Sequence, residues 1–142
     1  MNVAFFMQPK SSVAFLYNDF TVRQALEKMR HHGYTAIPVL DRAGHYLGTV
    51  SEGDFLWFIV RDDMSRTVDI EDLEDVPLDR LNLDFKRNPS VLITATIEEL
   101  LMRAMNQNFI PVVDDRNLFI GIVTRKDVIK HFYSKAFGDL DA

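Results

Sequence analysis

The chain of 142 residues has no cysteine. Disulfide scaffolds, cysteine nucleophiles, zinc ribbons and iron–sulfur centres are therefore excluded. It also lacks an excess of positive charge. Sixteen Lys and Arg stand against 21 Asp and Glu, a formal net charge of −5, so no basic field exists to recruit nucleic acid or an anionic membrane. Long hydrophobic runs are missing as well. The longest, Phe55 to Val60, falls far short of the ~18 residues of a membrane span. The N-terminus has neither a basic region nor a long apolar one, so it does not read as a signal peptide. No GxGxxG and no Walker loop occurs. What is present, 47% apolar and 26% charged residues, rules out a disordered chain and fits a soluble globule. A cytoplasmic setting is the expectation.

The chain repeats itself. Thr35-Ala-Ile-Pro-Val-Leu-Asp41 aligns with Asn108-Phe-Ile-Pro-Val-Val-Asp114, and without a gap Gly48-Thr-Val-Ser-Glu-Gly-Asp54 falls on Gly121-Ile-Val-Thr-Arg-Lys-Asp127. Ile37, Pro38, Val39, Asp41, Gly48, Val50 and Asp54 all recur at the matching position. Further upstream, Thr21-Val22 pairs with Thr96-Ile97 after a shift of about two residues. Two copies with so long a period indicate fused equivalent halves and not a solenoid.

Both halves predict the order β-α-β-β-α. In the first, Val13–Tyr17 reads as a strand. Thr21 caps a helix whose apolar face is Val22, Ala25, Leu26 and Met29, and Gly33 ends it. Ala36–Leu40 and Tyr46–Ser51 form a hairpin over the turn at Asp41–Gly44, and Glu52–Val60 is a helix. The second half predicts strand Val91–Ile93, helix Thr96–Met105, strands Phe109–Val113 and Leu118–Thr124, and a helix from Arg125 to about Ala136. The fold class is α/β (α+β), two repeats packed as a pseudo-twofold pair, since one half alone closes a core poorly. The divisions are a segment at 1–9, repeats at 10–61 and 84–137, a connector at 62–83 and a tail at 138–142. The connector is acidic, with Ile70, Leu73 and Val76 at loose helical spacing. Val3–Met7 is expected to be a short docking helix.

The recurring cassette is Gly-x-h-Ser/Thr-x-x-Asp, where h is apolar, at a strand end entering a helix. A hydroxyl there caps the helix, and the helix start favours an anion. The acid three residues later lies on the same side, one turn along, and suits the two hydroxyls of a ribose. Asp54 and Asp127 are the candidates. The same pattern also serves as a capping box. Arg125 and Lys126 oppose the helix dipole unless an anion is bound, or they are solvated surface charges. Glu52 and Gly53 take their places in the first copy.

These two cassettes resemble the Gly-h-h-Thr-x-x-Asp signature of CBS domains, named after cystathionine β-synthase. The segments Tyr34-Thr-Ala-Ile-Pro-Val39 and Asn108-Phe-Ile-Pro-Val112 resemble the strand that precedes it. Two such domains in tandem resemble a Bateman module, over about Lys10 to Phe137, which leaves no room for a catalytic domain. Gly33 to Asp41 resemble small stand-alone bacterial CBS-pair proteins, some of which bind cyclic di-AMP. The resemblance implies a regulatory protein without catalysis, with an adenosine nucleotide (AMP, ADP, ATP or cyclic di-AMP) as ligand and no metal. It implies one site from Val13, Ala14, Tyr34, Thr35 and Ala36 with Thr124, Arg125, Lys126 and Asp127. A possible second site uses Ser51 and Asp54 with Pro89, Asn108 and Phe109. Ser51 departs from the usual Thr, and Glu52 disfavours phosphate, so the second site is expected to be empty or to take a nucleoside end.

His31-His32 at a helix end suits the dipole better than a metal, as no further ligand follows at the right spacing. His45 and His131 have no nucleophile nearby in sequence. Phe55, Trp57 and Phe58 read as core or as dimer surface, as do Val128, Ile129, Phe132 and Tyr133 of the last helix. The leading expectation is a homodimeric nucleotide sensor acting on a protein partner. The alternative is a ligand-free dimerisation or interaction module.

Overall fold

The computed structural model describes residues 2–61, 74–81 and 87–138. The chain divides into two compact units. The first holds Ala14–Arg87, and the second combines Met1–Val13 with Asn88–Ala142. The fold is mixed α/β, with the repeated element order expected from the duplication.

In the first unit, strand β2 (Leu16–Tyr17) runs parallel to β3 (Ala36–Leu40), which is antiparallel to β4 (Tyr46–Ser51). Pro38 sits within β3, but β2 joins only at Val39. The missing N–H therefore costs no ladder bond on that side. Helix α1 (Val22–His32) begins at a complete capping box, in which Thr21 and Gln24 satisfy each other's backbone N–H. It ends at Gly33, whose φ of 68° is left-handed. Helix α2 (Glu52–Arg61) follows β4 directly. The core gathers Leu16, Val22, Ala25, Met29, Ile37, Val50 and Phe55, the inward face of each element. Leu78 and Leu81, from the C-terminal part of the connector, join it. Val22 N–H donates to the Val76 carbonyl and Leu78 N–H to that of Phe20, which anchors the returning chain.

The second unit repeats this with β5 (Val91–Leu92), α3 (Ile97–Asn106), β6 (Phe109–Val113), β7 (Phe119–Thr124) and α4 (Arg125–Phe137). The β6–β7 register matches that of β3–β4 pair for pair, including the irregularity one residue before the end of β6. Its sheet has a fourth strand, in the order β1-β7-β6-β5. Strand β1 is Gln8–Pro9, antiparallel to β7 through Gln8↔Ile122 and Pro9↔Gly121. A Cβ on Gly121 would lie 2.3 Å from the Gln8 carbonyl oxygen, so glycine permits β1 to lie there.

Several expectations need correction. The expected strand Val13–Tyr17 is confined to Leu16–Tyr17, because Lys10–Ser12 forms a 3-10 turn that Val13 closes. The expected helix Val3–Met7 is a 3-10 turn over Val3–Phe5, followed by the unexpected β1. Val3 and Phe6 are buried in the core of the second unit, so this leader is part of that unit. The helical spacing of Ile70 and Leu73 lies outside the described residues.

Candidate functional site

Each cassette is assembled by the same backbone geometry. The first amide of the helix after the cassette strand donates to the carbonyl two residues before the strand ahead's second residue: Glu52 N–H to Thr35, and Arg125 N–H to Asn108. The registers add Ala36↔Ser51 and Phe109↔Thr124. In the first unit Thr35 and Ala36 thus sit beside Ser51 and Asp54. In the second unit Asn108 and Phe109 sit beside Thr124 and Asp127. The buried Gln107 amide donates to the Pro89 and Phe109 carbonyls, at 3.0 and 3.4 Å, and so ties Pro89 to the same place. Gln107 was not singled out from sequence; its signal is an amide side chain directly ahead of a buried strand.

The remaining candidates fall as follows. Tyr34 and Ala14 pack against the core of the first unit. Val13 is buried in the second unit. His31 and His32 are exposed at the C-terminus of α1. His45 is held in its hairpin turn by Asp41, whose carboxylate accepts both its N–H and its ring nitrogen. Among the described residues, no group of three or more His, Cys, Asp or Glu could hold a metal ion.

The two cassettes differ in chemistry. At the second, the Thr124 hydroxyl accepts the Asp127 N–H at 3.0 Å and caps α4 as expected. The Asp127 carboxylate accepts one side-chain donor, the Gln8 amide of β1, at 2.8 Å. Among the described residues no cation pairs with it. At the first cassette the carboxylate does the accepting. Oδ2 of Asp54 takes the Ser51 N–H at 2.7 Å, the Ser51 hydroxyl at 3.1 Å and the Arg87 guanidinium at 2.6 Å. Its side chain is only 13% exposed. Burial pushes the Asp54 pKa up. The hydrogen bonds from Arg87 and Ser51, with the charge of Arg87, outweigh that and hold it below the ordinary carboxylate value.

The two cations of the second cassette also part company. Arg125 turns back and donates Nε to the Ala104 carbonyl at 2.7 Å, in the last turn of α3. A cation there satisfies a helix-end carbonyl and complements the dipole. Lys126 is exposed beside the start of α4.

Two α/β repeats, each running from a proline-bearing strand through a hairpin into a cassette helix, define a tandem-module protein. The CBS domain family matches residues 5–61 and 83–134, and the chain belongs to that family. A CBS domain-containing protein of Dictyostelium discoideum is 29% identical over 115 residues, 78% of each chain. Among solved structures, a conserved protein of Geobacillus kaustophilus superposes with a TM-score of 0.84 at 26% identity, covering 95% of this chain and 98% of its own. The CbpB protein of Listeria monocytogenes, solved in complex with c-di-AMP, gives 0.79 at 27% identity, with 94% and 96% covered.

Proposed function

We propose that this chain is a non-catalytic regulatory protein that binds an adenine nucleotide and passes the bound state to a protein partner. The observation that carries the reading is the second cassette. There a carboxylate with no cationic partner among the described residues stands one turn into a capped helix, with the exposed Lys126 beside it. Such a carboxylate accepts ribose hydroxyls, while the helix start and the lysine favour phosphate. The c-di-AMP complex of the Listeria relative supports the ligand class. In this proposal Thr124, Lys126 and Asp127 bind the ribose-phosphate end. Val13, Ala14, Tyr34, Thr35 and Ala36 contact the base. Arg125 contributes charge through whatever of its guanidinium the Ala104 carbonyl leaves available. Ser51 and Asp54, with Pro89, Asn108 and Phe109, make the weaker site. A cytoplasmic setting belongs to the same reading, in keeping with the absence of cysteine.

The test is a thermal shift and calorimetric panel of adenosine, AMP, ADP, ATP and c-di-AMP against the intact chain. A ligand at a hundred times its Kd stabilises by ~2.7 kcal/mol, several degrees for a domain of this size. No shift with any member would overturn the reading.

A second reading, a dimerisation or interaction module, is favoured by one specific observation. Leu56 and Trp57 of α2 and Ile129 of α4 are each at least 60% exposed. Apolar side chains of that size mark association surfaces. The two readings are compatible, and we propose a homodimer through these helices.

A further inference from the structure

The carboxylates of the two cassettes occupy equivalent positions in a duplicated frame, yet each is met by a different kind of side chain from outside its repeat. Asp127 meets Gln8, a neutral amide carried by β1. Asp54 meets Arg87, a guanidinium and the last residue of the first unit. In both cases the partner comes from the segment that leads into the other repeat. Resting on the nucleotide reading above, we infer that this lead-in residue sets how readily its cassette takes a ribose. Gln8 is a positioning residue that leaves Asp127 open to hydroxyls, and Arg87 competes with them at Asp54, which makes that site the weaker one.

The chemistry follows from the donors. An ionised carboxylate has about four lone-pair sites and only accepts. At Asp54 one oxygen already receives three donors, one of them charged. A charge-assisted bond is about twice as strong as a neutral one, so a ribose whose two hydroxyls need both carboxylate oxygens has to displace the stronger partner from Oδ2. At Asp127 the Gln8 amide takes part of one oxygen and brings no positive charge with it. A single amide bond fixes the plane of the carboxylate, which gives the two hydroxyls of a ribose a defined pair of acceptors. Gln8 is itself held rigidly. It lies in the ladder with β7, and Val3 and Phe6 anchor the leader in the core on its N-terminal side. The absence of a side chain at Gly121 admits the strand.

The experiment exchanges the two partners in the intact chain. Q8R, Q8L and R87Q are titrated by calorimetry with the tightest-binding ribonucleotide of the panel and its 2′-deoxy counterpart, with melting temperature as the check on folding. In Q8R the preference for ribose over deoxyribose falls about tenfold or more, as a charged hydrogen bond is worth that much. In Q8L, which removes the donor without adding charge, the preference falls less. In R87Q a second equivalent of ribonucleotide binds. If Q8R keeps the wild-type preference, or Q8L and Q8R lose it equally, the role of Gln8 is overturned while the nucleotide reading stands. If R87Q binds no second equivalent, the role of Arg87 is overturned. A wild-type chain that binds no member of the panel overturns the nucleotide reading and this inference with it.

Discussion

The guanidinium of Arg87 reaches the Asp54 carboxylate at 2.6 Å, across 33 positions of chain that include the acidic connector. This ion pair joins the chain just past the connector to the helix start of the first cassette. Its carboxyl is mostly buried, so losing the partner leaves an unsatisfied charge, which costs more than a surface pair would.

A pH-dependent stability follows from it. The Asp54 pKa is lower in the folded chain than in the unfolded one. The contribution is therefore full above the unfolded value of about 4 and is lost as pH falls through the folded value. Asp54→Asn should destabilise the chain by about 1.5–3 kcal/mol at pH 7, the range for hydrogen bonds to a charged group. Below the folded pKa the wild-type group is protonated too, and the gap should shrink. Urea denaturation at pH 7 and at acid pH checks this. An equal gap at both assigns the effect to packing.

Much of this architecture is legible in sequence because its determinants are local. Thr21 as a helix cap, Gly33, and the Asp41–Gly44 turn act within a few residues, and each appears where it was expected. The duplication supplied the rest of the element order. Gln8 and Asp127, 119 positions apart, could not be paired that way. A two-residue strand has no periodicity, and only the glycine at Gly121 hints at a backbone lying over it. Arg125 was read for its charge alone. Its bond to the Ala104 carbonyl depends on how α3 ends, which no pattern around Arg125 reports.

Two of the three cassette glycines, Gly121 and Gly53, give a paired test of the leader. Gly121→Ala places a Cβ 2.3 Å from the Gln8 carbonyl and 2.8 Å from Met7. β1 must then shift, at a cost of about 1–3 kcal/mol. Gly53→Ala meets only Ser51 Oγ, at an ordinary 3.6 Å. In a helix it should be neutral or stabilise by up to about 1 kcal/mol. Thermal melts of both variants decide it. If Gly121→Ala melts with the wild type, β1 does not lie against β7.

Association is tested on α2. Trp57 is 64% exposed, next to the equally exposed Leu56. Light scattering should give about twice the 16.4 kDa chain mass at micromolar concentration, since so much apolar surface is rarely left open in a monomer. Trp57→Glu puts a charge at the contact and should yield the single-chain mass without lowering helix content. A wild-type chain that scatters as a monomer refutes the dimer.

The cations of the second cassette should separate into a ligand contact and a structural one. Lys126 is exposed at the start of α4, whereas Arg125 has its Nε on the Ala104 carbonyl. Lys126→Glu changes the sign of charge where a phosphate would sit and removes no hydrogen bond found among the described residues. It should leave the melting temperature nearly unchanged and abolish the gain in affinity from adenosine to its mono-, di- and triphosphates. Arg125→Ala deprives a helix-end carbonyl of its donor and should cost about 1 kcal/mol or more of stability. Its effect on phosphate dependence should be the smaller of the two. Raising the salt should flatten the wild-type gain, because an exposed cation is screened within a Debye length of ~10 Å at 0.1 M. Calorimetry with the four ligands at two salt concentrations reads all of this. If adenosine binds the wild type as tightly as its phosphates do, Lys126 is a solvated surface charge. Phosphate recognition then moves away from the start of α4, while the ribose contact at Asp127 is untouched.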